Sequence, residues 1–223
     1  MLFQGASGRE YFTIVQYDDG ILASRDELYF KNLRVFGAGG YGTDPIPLTS
    51  DKHPVSGRKW KAYLASFLGS VGTHPMRRVM FDKFKDADGF LVEDVYTRYD
   101  TALLDRYRRM TEESYFVLCP RGYGKTSYRM YEAMQLGAVP VYISDVHWLP
   151  FTQYLDWSKF AVIVKWEEMD ALPGMLRQII DSGKYQEMRK NAIDAYNNYF
   201  EYTACFKTIK RILEDENDKR AKV

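Results

Sequence analysis

The chain has 223 residues, enough for one large domain or two small ones around a real core. Thirty-one Lys and Arg against thirty Asp and Glu leave a formal charge of +1, so there is no basic field to gather nucleic acid. Two cysteines, Cys119 and Cys205, do not make a disulfide framework, and no stretch approaches the roughly eighteen apolar residues of a membrane span.

Residues 1–8 contain Leu2-Phe3-Gln4-Gly5, which reads as the remnant of a cleaved linker, and are set aside. Phe12–Gln16 and Leu33–Phe36 are apolar runs of strand length. Gly37 to Pro54 is a Gly/Pro loop of a length that is usually functional or disordered. Tyr63–Leu68 reads as a strand, Pro75–Lys83 as a helix with proline in its first turn, and Gly89–Val92 as a short strand. Ala102–Glu113 carries Leu103, Leu104, Tyr107 and Met110 at helical spacing. Strand Tyr115–Cys119, helix Ser127–Leu136, strands Val139–Ile143 and Phe160–Val164, and helix Ala171–Ser182 follow. Tyr185–Ile212 is mostly helical, and 214–223 is a charged tail expected to fray. The alternation predicts an α/β chain with parallel sheets. A boundary near Tyr96–Asp100 splits it into 9–97 and 98–213.

The stretch from Phe116 to Val141 carries the most chemistry. An apolar run feeds a glycine-rich loop, the loop opens a helix, and a second apolar run follows. Such a turn can receive a phosphate, because unpaired N–H groups and the helix dipole point at it. Gly124-Lys125-Thr126 suggests a P-loop, but the first glycine of that motif would fall on Cys119. A dinucleotide fingerprint fails as well, since Ser127 stands where its third glycine belongs. A sulfotransferase-like loop, with Pro120, Arg121 and Lys125, has the wrong order. What remains is Cys-Pro-x-Gly at 119–122, Ser-x-Arg-x-x-Glu-Ala at 127–133 and Gly-x-x-Pro-Val at 137–141. Cys119, at a strand end, reads as buried packing.

That grammar resembles the exostosin-like glycosyltransferases, family 47 of the sugar-nucleotide-dependent transferases. Downstream, Ile143-Ser144-Asp145, Leu149-Pro150-Phe151, Leu155-Asp156-Trp157 and Phe160-Ala161-Val162 look like its continuation. Upstream, Tyr17-Asp18-Asp19-Gly20 resembles its His-Asp-x-Gly segment, Asp44-Pro45-Ile46-Pro47 its Asp-Val-x-x-Pro segment, and Phe67-Leu68-Gly69 through Arg77 its Phe-x-Gly…Arg segment. The resemblance implies a GT-B fold, two Rossmann-like domains facing a cleft, here in minimal form. Residues 98–213 would hold the donor nucleotide, and 9–97 the acceptor and base. The anchorless chain is similar to compact members in large algal viruses. It is expected in the cytoplasm, or in the Golgi lumen if an anchor was removed.

The implied activity is inverting transfer of a sugar, xylose by similarity, from a UDP-sugar to a glycan hydroxyl, with no required cofactor. Such a transfer needs the diphosphate stabilised, the nucleoside held and the acceptor deprotonated. Arg121, Gly122, Tyr123, Gly124, Lys125 and Ser127 form the loop, and Arg129 is its family cation. Glu132 suits the ribose hydroxyls, and Arg77 resembles the arginine that reaches the diphosphate. The base falls to Asp18 or Asp44, whereas Asp19, Asp51, His53 and His74 stand outside the pattern. Arg129 and Glu132 could instead merely pair with each other at i,i+3. Three alternatives stay open: a metal-dependent GT-A-like transferase holding a divalent ion on Asp86 and Asp88, a P-loop-like nucleotide binder, and a non-catalytic relative. Tyr17 in place of the family histidine gives the last its weight.

Overall fold

A computed structural model of the chain describes residues 11–18, 20, 33–57, 60–96 and 100–220, with side chains described as far as Asp215. The expected linker remnant at 1–8 and Asp19 lie outside these residues. Strands β1 (Tyr11–Val15), β2 (Leu33–Gly37) and β3 (Asp44–Pro45) make a small parallel sheet in the order β1-β2-β3. Strands β4 (Tyr63–Gly69), β5 (Phe90–Asp94), β6 (Ser114–Pro120), β7 (Val139–Ser144) and β8 (Val162–Lys165) make a larger one in the order β5-β4-β6-β7-β8, parallel throughout. The helices are α1 (Pro75–Phe84), α2 (Thr101–Glu112), α3 (Tyr128–Gln135), α4 (Leu172–Asp181), α5 (Lys184–Ala195) and α6 (Tyr202–Arg220). The α/β class with parallel sheets is therefore what the chain adopts.

The larger sheet is buried on both faces, which is why its strands read as unbroken apolar runs. Along β6, Val117 and Cys119 point into one core with Met130, Tyr131 and Ile209. Phe116 and Leu118 point into the other, with Met80, Phe84, Leu172 and Leu176. The chain runs from β4 to β5 on one side, then crosses to lay β6 on the other side of β4. Ser66 accordingly faces Leu91 across one ladder and Val117 across the next. The sheet thus runs across the 97/98 boundary drawn from the sequence, because β4 finds its second partner in β6.

The segment after β2 is packed rather than loose. Ile46 and Leu48 are buried with Phe36 in the same core as Cys205, Ile209 and Ile212 of α6. Gln16 secures the segment from both ends of its amide, donating to Pro47 O at 3.0 Å and accepting from Thr49 N at 3.0 Å. Between α5 and α6 the backbone widens into a π turn over Tyr196–Phe200, closed by Glu201 N on Tyr196 O at 2.8 Å. The charged tail does not fray where expected, since α6 continues to Arg220. Lys210 pairs with Glu214 at i,i+4, and Tyr154 donates to Asp215 at 2.6 Å, so the polar sequence supports the helix.

Candidate functional site

In an open parallel sheet, ligands bind beyond the carboxyl ends of the strands where the winding reverses, because neighbouring loops there diverge. In this sheet the reversal lies between β4 and β6. A cleft of about 620 Å³ opens at that place, lined by Leu68 to Ser70 at the carboxyl end of β4, by α1, α2 and α3, and by Tyr123 after β6. Arg77, Arg129 and Glu132 all line it.

Arg77 is buried on α1 and spends its guanidinium on backbone. It donates to Arg121 O at 2.9 Å, Ser70 O at 3.0 Å and Pro120 O at 3.3 Å. It thereby ties the loop after β4 to the loop after β6. Burial, then the neighbouring Arg129 charge, pulls Arg77 down to about 9. Arg129, on α3, donates to Leu68 O from Nε at 3.1 Å and from Nη2 at 2.7 Å, while Nη1 has no partner among the described residues. Its guanidinium lies 4.8 Å from the Phe67 ring centroid, and that of Arg77 lies 5.8 Å from the same ring. No carboxylate pairs with either arginine among the described residues.

Glu132 stands one turn after Arg129 and pairs elsewhere, so the two do not form the surface ion pair that their spacing allows. Tyr107 of α2 donates to Oε2 at 2.6 Å, and His53 Nε2 lies 3.4 Å from Oε1. Arg108 Nε donates to His53 Nδ1 at 3.1 Å. An arginine nitrogen always carries hydrogen, so Nδ1 is the acceptor and Nε2 holds the ring proton that points at Glu132. Burial acts to raise the Glu132 carboxyl, but the His53 and Tyr107 bonds and the Arg129 charge outweigh it and leave it below its ordinary value. Burial, then the Glu132 charge, pushes the Tyr107 hydroxyl well above the ordinary phenol value, which keeps it a donor.

His53 was outside the sequence pattern, and Tyr107 was only one apolar position on a helix. They stand 79 and 25 residues from Glu132. No spacing rule links residues so far apart; only the crossing of the loop over α3 brings His53 in.

The glycine-rich loop distributes its other residues differently. Arg121 pairs with Asp145 at 2.7 Å, and Lys125 turns away from the cleft to lie 4.9 Å from the Tyr41 ring centroid and 5.0 Å from that of Trp148. Lys125 N donates to Gly39 O at 2.7 Å, stitching this loop to the one after β2. Ser127 caps α3 in extended backbone without a side-chain cap bond, and its buried Oγ is unpaired among the described residues. Tyr123 is exposed at the cleft, with Gly122 beside Arg77. Asp18 rests on the loop: a Cβ at Gly124 would lie 2.7 Å from its Oδ1. Asp44 instead faces Arg34, which donates to it from Nε at 2.6 Å and again from Nη2, and Thr43 Oγ1 adds a bond at 2.7 Å. Cys119 is fully buried, and burial pushes its thiol far above the ordinary range, so it is packing.

The rival residues are placed away from this cleft. Asp86 and Asp88 lie in the turn between α1 and β5, at the amino end of the strands, and Asp88 pairs with Arg177 at 3.0 Å in solvent. Among the described residues no group of three metal-ligating side chains forms. The lysine of the apparent P-loop lies between two aromatic rings, and the aspartate after β7 is held by Arg121. No described helix is long and apolar enough to cross a membrane.

Residues 42–179, more than half of the chain, match the Exostosin GT47 domain. The chain is 35% identical over 133 residues to a "Probable glycosyltransferase" of Arabidopsis thaliana, covering 59% of this chain and 26% of that protein. It is 32% identical over 106 residues to an exostosin-1 homolog of Caenorhabditis elegans, covering 48% and 26%. Against human exostosin-2 it is 28% identical over 144 residues, covering 59% and 20%. The chain therefore spans 20% to 26% of the length of these relatives. Among solved structures, the pneumococcal O-GlcNAc transferase GtfA in complex with UDP and GlcNAc is similar at TM-score 0.51 and 10% identity, over 92% of this chain and 45% of that one. At that identity the likeness concerns the fold alone, which is the GT-B type that the resemblance implied. The domain match, the ordered motifs and the fold agree: the chain belongs to the exostosin GT47 family.

Proposed function

We propose that this chain is a glycosyltransferase that moves a sugar from a UDP-sugar, with xylose as the favoured sugar, to a hydroxyl of a glycan. The observation that carries the reading is the pair Arg77 and Arg129. Two guanidiniums are held on carbonyls at the switch point, with no carboxylate paired to either among the described residues and the N-terminus of α3 beside them. Like charges brought together this way favour a bound anion, and a diphosphate suits both the cations and the helix mouth. The arginines supply the charge neutralisation that a leaving diphosphate needs, so the reaction as proposed uses no metal.

In the reaction, the acceptor oxygen attacks the anomeric carbon as the bond from that carbon to the diphosphate oxygen breaks. The anomeric centre inverts, UDP leaves with the bonding electron pair, and the acceptor proton passes to a carboxylate. Asp18 is the better placed of the two candidates, because its carboxylate lies against Gly124 of the glycine loop. Glu132 holds the ribose.

Calorimetry tests the donor site: UDP should bind the wild type, and Arg129→Ala and Glu132→Ala should each abolish binding while the fold persists. Unchanged affinity in both variants would sink the assignment. A panel of UDP-sugars, read by UDP release, then names the sugar. UDP binding without turnover on any donor would favour the non-catalytic reading that Tyr17 suggests.

A further inference from the structure

We propose that His53, oriented by Arg108, is a positioning residue that holds Glu132 for two neighbouring hydroxyls, so that the site selects a ribonucleoside diphosphate over its 2′-deoxy counterpart. The inference rests on the donor-site reading above. An ionised carboxylate offers about four acceptor positions, two on each oxygen. Tyr107 takes one on Oε2 and the His53 Nε2 hydrogen takes one on Oε1. One position is left on each oxygen, and Glu132 lines the cleft, so two hydroxyls on adjacent carbons match what remains.

His53 is itself held from several directions, which marks the arrangement as built. Its backbone N–H donates to the Gln135 side chain, one turn after Glu132 on α3, and Gln135 Nε2 donates onward to Tyr196. Its ring packs edge-on against Tyr107 at 6.3 Å. Arg108 fixes the ring proton on Nε2, and Asp105 in turn pairs with Arg108 at 3.1 Å. The His53 side chain is only 7% exposed, so water is a poor substitute for its bond. Without His53, the carboxylate keeps Tyr107 but can rotate about it, and the two vacant positions no longer face the cleft together. A 2′-deoxy ligand leaves one of the two vacant acceptor positions unfilled in the wild type, and a site built to bond a hydroxyl discriminates against a ligand that lacks it.

The test is calorimetry with UDP and 2′-deoxy-UDP on the wild type, His53→Ala and His53→Gln, with melting temperatures alongside. The wild type should favour UDP by at least about tenfold. His53→Ala should shrink that ratio toward unity, and His53→Gln, whose amide N–H can reach Glu132, should restore most of it. A lost structural contact would weaken both ligands alike and leave the ratio in place, which overturns the proposal. Equal binding of both ligands by the wild type also overturns it. Failure of the wild type to bind UDP at all rejects the donor site itself, a separate result. If His53→Ala does not fold, the ratio is read from Arg108→Met, which keeps the ring and frees its orientation.

Discussion

Arg129 donates two hydrogen bonds to one oxygen, the carbonyl of Leu68, across the backbone of Gly69. The approach is close enough that a Cβ at Gly69 would lie 1.7 Å from Arg129 Nη2. Gly69→Ala should therefore displace the guanidinium. UDP affinity should fall about tenfold or more, since an ångström-scale shift of a positioning group costs that much. Calorimetry on Gly69→Ala checks this, and wild-type affinity would show that Arg129 is not the diphosphate contact.

Arg77→Lys separates charge from geometry. The lysine keeps the cation but cannot reach three carbonyls in a planar fork. Leaving buried carbonyls unpaired should cost about 2–4 kcal/mol of stability. Urea unfolding measures it, and a loss below about 1 kcal/mol would mean that the loops are held together by other contacts.

The two candidate bases should fail in different ways. Asp44→Asn breaks the Arg34 contact and should lower stability by about 1–3 kcal/mol while transfer persists in the folded fraction. Asp18→Asn should bind UDP normally and lose transfer by about a hundredfold or more. Retained transfer in Asp18→Asn would move the base elsewhere.

Lys61 makes stability depend on alkaline pH. Its ammonium donates to Glu112 O, at the end of α2, at 2.7 Å and to Gly137 O, past the end of α3, at 3.3 Å. Burial, then the Arg189 charge, lowers it from 10.5 to about 8. A folded value below the unfolded one means that the unfolded chain binds more protons between about pH 8 and 10.5. The Lys61 contribution should therefore become more favourable as pH rises through that window. Comparing wild type with Lys61→Met at pH 7.5 and pH 10 isolates it, because tyrosine titration is common to both. A difference that stays constant with pH would contradict the assignment.

Much of the fold was legible because its signals are local. The apolar run ending at Cys119 and the glycines behind it place β6 and α3 within a residue or two of where they lie, and Pro75 marks the start of α1. Arg129 and Glu132 were legible because one motif on one helix carries both. The same loop also supplied residues that the structure sends elsewhere: Lys125 to the rings of Tyr41 and Trp148, and Arg121 to Asp145. Loop membership says how close a side chain starts to a ligand, not which way its rotamers are drawn by neighbours from other segments.

By itself the sequence determined the α/β class, the phosphate-ready turn and the family, because periodicity, turn residues and motif order are written along the chain. Only the tertiary structure decided that β4 pairs with β6 across residue 97, which puts the switch point and its cleft beside Arg129. Only it brought His53 across 79 residues to Glu132, with Arg108 behind it. Strand order and side-chain networks depend on which buried surfaces and hydrogen-bond partners meet in three dimensions, and one linear pattern is compatible with several such meetings.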